Sequence, residues 1–161
     1  MAAELEKITS SDGGGFIAEY ISDNGGLWHF HPEYELVLNF KCNGTRIIGD
    51  SVELFDRYDM VLIAKNIPHS WNYYCNDNIL PEQHGIVIHF NREIIGESFL
   101  SQHEMTDFRK LLDQAERGIS FSIEDARKAE KHIIGMVKTS GLSKIIDFFS
   151  LMKILAASEK K

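Results

Sequence analysis

Between Phe16 and Phe90 the chain is a succession of short runs rich in β-branched and aromatic residues, each stopped by glycine, proline or polar residues. The runs are GGGFIAEYI, LWHFHPEYELVLNF, TRIIGDSVELF, DMVLIAK, HSWNYY and HGIVIHF. Side chains of a strand alternate between its two faces, so an apolar face on each run must be covered by its neighbours. Many short strands separated by turns predict a β-sandwich or barrel. The CNG at residues 42–44 is expected to be a hairpin turn.

Near Ile94 the apolar period lengthens. Phe108, Leu111, Leu112 and Ala115 follow helical spacing, which predicts a helix from about Ser98 to Arg117, stopped at Gly118. A second helix is expected from Ser122, whose hydroxyl can cap it with Asp125 three residues on. Its apolar side is Ala126, Ala129, Ile133 and Val137, and it ends before Gly141. The third is LSKIIDFFSLMKILAASEKK, with Ile145, Phe149, Met152 and Ala156 on one stripe. Ile146, Leu151 and Ile154 widen that surface beyond what one core needs, so a well-buried terminal helix and a dimerising one are both open. The expected organisation is a β-barrel over residues 1–95 and a helical segment over 96–161.

With 161 residues and 43% hydrophobic content the chain can bury one compact core. Its net charge of -7 argues against a broad grip on phosphate backbones, which needs clustered Lys and Arg. The opening MAAELEKITS lacks the apolar centre of a secretory signal, and no later run is long enough to span a membrane. A cytoplasmic protein with no membrane partner is expected. Cys42 and Cys75 have no CxxC spacing, so reduced thiols are the expectation.

The stretch LWHFHPEYEL carries the chemistry. On one regular strand His29, His31 and Glu35 project to the same side, and so does Glu33; Pro32 can bulge the strand, so alternation does not choose between the two glutamates. His69, in IPHSWN, is a fourth candidate ligand. Three imidazoles and a carboxylate suit zinc, iron, nickel, copper or manganese better than calcium, which prefers oxygen. Trp71 and Tyr73 alternate after His69 and are candidate walls of a small-molecule pocket. His89 shares its face with Val87, opposite Ile86 and Ile88, and can line the same cavity. Each of these has a plain structural reading beside it: hydrogen-bonded histidines at a barrel mouth, or aromatic core packing. Arg46, alone on a strand, is assigned no site role.

Taken together, HFHPEYEL, RYDMVLIAKNIPHSWN and LLDQAERGISFS resemble the N-terminal sensory region of AraC-type transcriptional regulators, over nearly the whole chain. The resemblance implies a mainly β fold, a cupin-like double-stranded β-helix or jelly-roll barrel, followed by a C-terminal α-helical segment. It also implies a metal set in which His29, His31 and Glu35 match the first cupin motif and His69 the second, and it is the resemblance that selects Glu35 over Glu33. A divalent transition metal (zinc, nickel, iron or manganese) is then the expected cofactor, and Trp71, Tyr73 and His89 the ligand wall. The implied function is binding of a small-molecule effector, a sugar being one candidate, in a homodimer joined through the terminal helices. DNA would be reached only through a helix-turn-helix domain absent from this sequence. The alternative is a metal-dependent cupin enzyme such as an isomerase or dioxygenase.

Overall fold

The computed structural model describes residues 2–10, 14–23, 25–74 and 83–159. Its strands are β1 (Glu4–Leu5), β2 (Ile17–Ile21), β3 (His29–Phe30), β4 (Tyr34–Asn39), β5 (Asn43–Ile48), β6 (Ser51–Phe55), β7 (Asp59–Ile63), β8 (His69–Tyr74), β9 (Gly85–Phe90) and β10 (Ile119–Phe121). The helices are α1 (Arg92–Ile95), α2 (Glu97–Leu100), α3 (Thr106–Gln114), α4 (Ile123–Lys138) and α5 (Gly141–Ala157). The strands form two five-stranded sheets, in the orders β1-β3-β8-β5-β6 and β10-β7-β4-β9-β2. The antiparallel pairings are nested: β2 with β9, β3 with β8, β4 with β7 and β5 with β6.

Alternation along the strands divides the core in two. Leu36, Leu38, Met60, Leu62, Ile86, Ile88 and Phe90 turn toward the helices, where they join Phe108, Leu111, Ile133, Phe148 and Leu151. Val37, Val61 and Ile63 turn the other way and meet Ile48, Phe55 and Trp71 of the second sheet. All of β4 is buried, because it is covered on both faces and flanked by β7 and β9. Polar groups on its inner face, Glu35 and Asn39, are therefore carried into the space between the sheets.

Several sequence expectations shift in detail. Asn43 and Gly44 are already inside β5, so CNG is not the turn. Gly44 is needed for close approach instead: a Cβ there would lie 2.3 Å from the Asn72 carbonyl oxygen and 2.5 Å from the Phe55 ring. TRIIGDSVELF is divided between β5 and β6, which turn at Gly49 (φ +58°), a conformation that favours glycine.

The helix expected over 98–117 is broken into α2, a 3-10 turn at His103–Met105, α3 and a second 3-10 turn at Ala115–Arg117. Ser101 Oγ and Thr106 Oγ donate to the carbonyls of Ser98 and His103, offering the backbone an alternative to continuous helix. Phe108, Leu111, Leu112 and Ala115 are nevertheless buried as a set. The Ser122 cap forms, its Oγ accepting from the Asp125 amide at 3.1 Å.

On α5 the buried stripe is Phe148, Leu151, Met152 and Leu155, rotated from the expected one so that Ile145, Phe149 and Ala156 are only half-buried. The Phe148 ring sets this rotation by packing on Phe16, Phe90 and Phe108. β10 returns the 96–161 segment to the sheet by pairing with β7.

Cys42 is buried and disulfide-bonded, against the expectation of reduced thiols. The β5–β8 ladder ends with Asn43 opposite Tyr74, each a sequence neighbour of a cysteine. Cys75 itself lies outside the described residues. Among the described residues no helix is long and apolar enough to cross a membrane.

Candidate metal centre

Both sheets supply the site. In one, His29 of β3 lies opposite His69 of β8; in the other, Glu35 of β4 lies opposite His89 of β9. His31 sits in the link between the sheets, where the chain bends through Pro32 and Glu33 before β4 begins. Simple alternation from residue 29 to 35 therefore does not operate, since β3 stops at Phe30. The bend brings the residues together instead: one donor atom from each of His29, His31, Glu35 and His69 falls within 4.8 Å of the other three.

Hydrogen bonds set the imidazole tautomers. His69 Nδ1 donates to the Ile67 carbonyl at 2.7 Å, and His29 Nδ1 to the Leu27 carbonyl at 2.9 Å. In each neutral ring this leaves the lone pair on Nε2, which is the arrangement metal-ligating histidines use. His69 Nε2 is fully buried and makes no hydrogen bond, standing 3.4 Å from Glu35 Oε2. His31 Nε2 donates to Glu35 Oε2 at 2.9 Å, and His89 Nε2 donates to the same oxygen at 2.8 Å. Glu33 is on the other side of His31, its Oε2 3.5 Å from His31 Nδ1.

Burial of Glu35 would by itself raise its carboxyl pKa, yet the hydrogen bonds from His31 and His89 and the His69 imidazole 3.4 Å away outweigh it and hold the group well below the usual 4.5. The carboxylate is thus ionised. Burial works to lower His69, but the Glu35 carboxylate 3.4 Å from its Nε2 prevails and raises it above the usual 6.5. An orphaned imidazole nitrogen beside an ionised carboxylate, with two further imidazoles in reach, fits a borderline transition metal and not calcium.

Above this cluster is a cavity of about 560 Å³. Its lining includes His29, Glu35 and His89 together with Trp71, Tyr73, Val37 and Val87, so all three expected wall residues face the same space as the donor set. His31 and His69 are almost wholly enclosed beneath it. The Trp71 ring lies 5.5 Å from that of His69, and its indole N–H is buried without a hydrogen-bond partner. Burial pushes the Tyr73 phenol above its usual 10, so it stays neutral.

Two features escaped the sequence reading. Glu6 reaches the cavity from the N-terminal segment, its Oε2 3.0 Å from His29 Nε2; only the parallel pairing of β1 with β3 places it there. Arg46 is buried, and its guanidinium donates to Asp59, Glu53 and Ser120, joining β5 to three other strands away from the histidines. Residues 43–63 carry two arginines and four acids in no pattern that marks this network.

No family model and no curated protein matches the sequence. Among solved structures the chain is similar to a cupin-2 domain from Rhodospirillum rubrum, at 16% identity over 65% of this chain and 76% of that one, with a TM-score of 0.36. Likeness at this level identifies no family, and the functional reading rests on the chain's own geometry.

Proposed function

We propose that this chain is a cupin-like small-molecule-binding domain in which His29, His31, Glu35 and His69 hold a divalent transition metal at the floor of the cavity. The observation that carries the reading is His69 Nε2: buried, without a hydrogen bond, its tautomer set by Ile67, and surrounded by three further candidate donors. The nested strand pairings support a jelly-roll barrel. When bound, the metal would supply a Lewis-acidic anchor for an oxygen or nitrogen of the ligand. The protein's part is to keep Glu35 ionised, to orient it through His89, and to offer the faces of Trp71 and Tyr73 with the free indole N–H as a donor.

The role we assign is effector sensing, as in the regulatory region of an AraC-type transcription factor, with a sugar as the first effector class to test. One face of β2 (Ile17, Ile21) lines the cavity, while Ala18 lies in the core shared with the helices, and α4 packs on β2. An effector that binds one placement of β2 better than another would bias the helices, and a homodimer formed through α5 would pass the change to a DNA-binding domain. Leu142 and Ile146, exposed at 71% and 58%, are the surface proposed for that dimer. The second reading, a metal-dependent isomerase or dioxygenase, is favoured by the donor set opening onto a cavity, as catalytic metal sites do.

Elemental mass spectrometry on untagged protein, beside a His29→Ala/His31→Ala variant, tests the reading. Near-stoichiometric metal lost in the variant supports it. Wild-type protein that stays metal-free after exposure to Zn²⁺, Ni²⁺, Mn²⁺ and Fe²⁺ overturns it. Turnover abolished by chelation would select the enzyme over the sensor.

A further inference from the structure

We infer that Glu6 is a further donor to the same metal, carried to it by the N-terminal segment; the inference rests on the metal reading above. The backbone of this segment is pinned beside the site. β1 pairs in parallel with β3, placing Glu4 opposite His29, and the Glu6 amide donates to the Phe30 carbonyl at 3.0 Å. From there Glu6 Oε2 reaches to 3.0 Å from His29 Nε2.

The nitrogen it reaches is what matters. A carboxylate that only steadies a metal-bound imidazole accepts from the ring nitrogen turned away from the ion. For His29 that nitrogen is Nδ1, and it already donates to the Leu27 carbonyl. Glu6 is instead at Nε2, the atom His29 has left to offer. A neutral His29 with its proton on Nδ1 would set a lone pair against a carboxylate oxygen, two acceptors facing each other. That contact requires either a proton between the two atoms, carried by the ring or by the carboxyl, or a metal ion shared by both.

The separation also suits a shared ion. Two donors each about 2.1 Å from one ion and at right angles stand about 3.0 Å apart. Glu6 lies beside His29 but outside the four donors that stand within 4.8 Å of one another, so its carboxylate would have to turn further in; it would then bring the set to three imidazoles and two carboxylates, whose two negative charges balance a divalent cation. A fifth donor, and a second oxygen, moves preference from four-coordinate zinc toward ions that accept higher coordination. Lys7, Ile8 and Thr9 line the cavity beside Glu6, so holding Glu6 at the metal would also hold this segment across the cavity mouth.

The test is titration of the full chain with Co²⁺ alone, reading both the dissociation constant and the visible absorption, for wild type, Glu6→Gln, Glu4→Gln and His31→Ala. Glu4→Gln removes the same charge from the same N-terminal segment. The expected result is Co²⁺ binding weakened at least tenfold in Glu6→Gln, with more intense visible bands as the coordination number falls, and Glu4→Gln like wild type. Trypsin cleavage after Lys7 should be slowed by Co²⁺ in wild type and not in Glu6→Gln. Melting in chelator confirms that each variant is folded. Wild-type affinity and spectrum in Glu6→Gln, or equal losses in both glutamate variants, would overturn the inference and leave the four-residue site standing. A wild-type protein that takes up no Co²⁺ removes the metal reading and this inference with it.

Discussion

Glu35 and His89 face each other across the β4–β9 ladder, and His89 Nε2 donates to Glu35 Oε2 at 2.8 Å. His31 Nε2 bonds the same oxygen but belongs, with His69, to the four donors within 4.8 Å of one another, whereas His89 is outside that group; and His69 Nε2, unlike His89 Nε2, makes no hydrogen bond. The two histidines should differ on substitution. We expect His69→Ala to abolish stoichiometric metal uptake and His89→Ala to weaken it about 10–100-fold, the usual cost of losing a residue that orients a ligand. Metal titration followed by elemental analysis separates the cases; equal loss in both variants would make His89 a donor.

Trp71 is buried, yet its indole N–H has no partner. Trp71→Ala empties a large core volume and should cost about 3–5 kcal/mol. Trp71→Phe loses less volume and also removes the unsatisfied donor, whose burial costs about 1–3 kcal/mol. Urea unfolding of metal-free protein should therefore show Trp71→Phe within about 1 kcal/mol of wild type. A cost close to that of Trp71→Ala would mean that the N–H is satisfied in solution.

The order of strands and the period change near residue 94 were legible because alternation and helical spacing are local properties of the chain. His29, His31 and His69 could be named for the same reason, from residue type and spacing, whereas spacing left Glu33 and Glu35 open and only the family resemblance selected Glu35. The reasoning that placed them on one face was nevertheless incomplete, since β3 ends before His31 and the bend at Pro32–Glu33 does the positioning. Glu6 and Arg46 were out of reach because their partners come from pairings distant in sequence. The α5 stripe was misjudged by a rotation because three rings outside that helix, Phe16, Phe90 and Phe108, determine that Phe148 points inward.

Arg46 Nη1 donates to Asp59 Oδ1 at 2.5 Å, but burial is the larger influence on Asp59 and raises its carboxyl above the usual 3.8 despite the guanidinium. The folded protein then holds this proton more tightly than the unfolded chain does. Its contribution to stability is present below about pH 3.8 and is lost as pH rises through the raised folded value. Asp59→Asn cannot titrate, so its urea midpoint relative to wild type should improve as pH is raised from 3.5. A relative decline over the same range would show that Arg46 outweighs burial.

Two positions on α5 separate folding from association. Phe148 is wholly buried against Phe16, Phe90 and Phe108, with ring centroids 4.6, 4.9 and 6.1 Å away. Phe148→Ala should cost about 3–5 kcal/mol at any protein concentration. Ile146 is 58% exposed, and a surface substitution there normally moves stability by no more than about 0.5 kcal/mol. If α5 joins two copies, Leu142→Ser/Ile146→Ser should instead lower the apparent molecular mass and remove the dependence of the melting temperature on protein concentration. Analytical ultracentrifugation reads the first and thermal melts the second, each over a hundredfold concentration range. Wild-type protein that is monomeric throughout would count against the α5 dimer, and a double variant that stays dimeric would move the interface elsewhere.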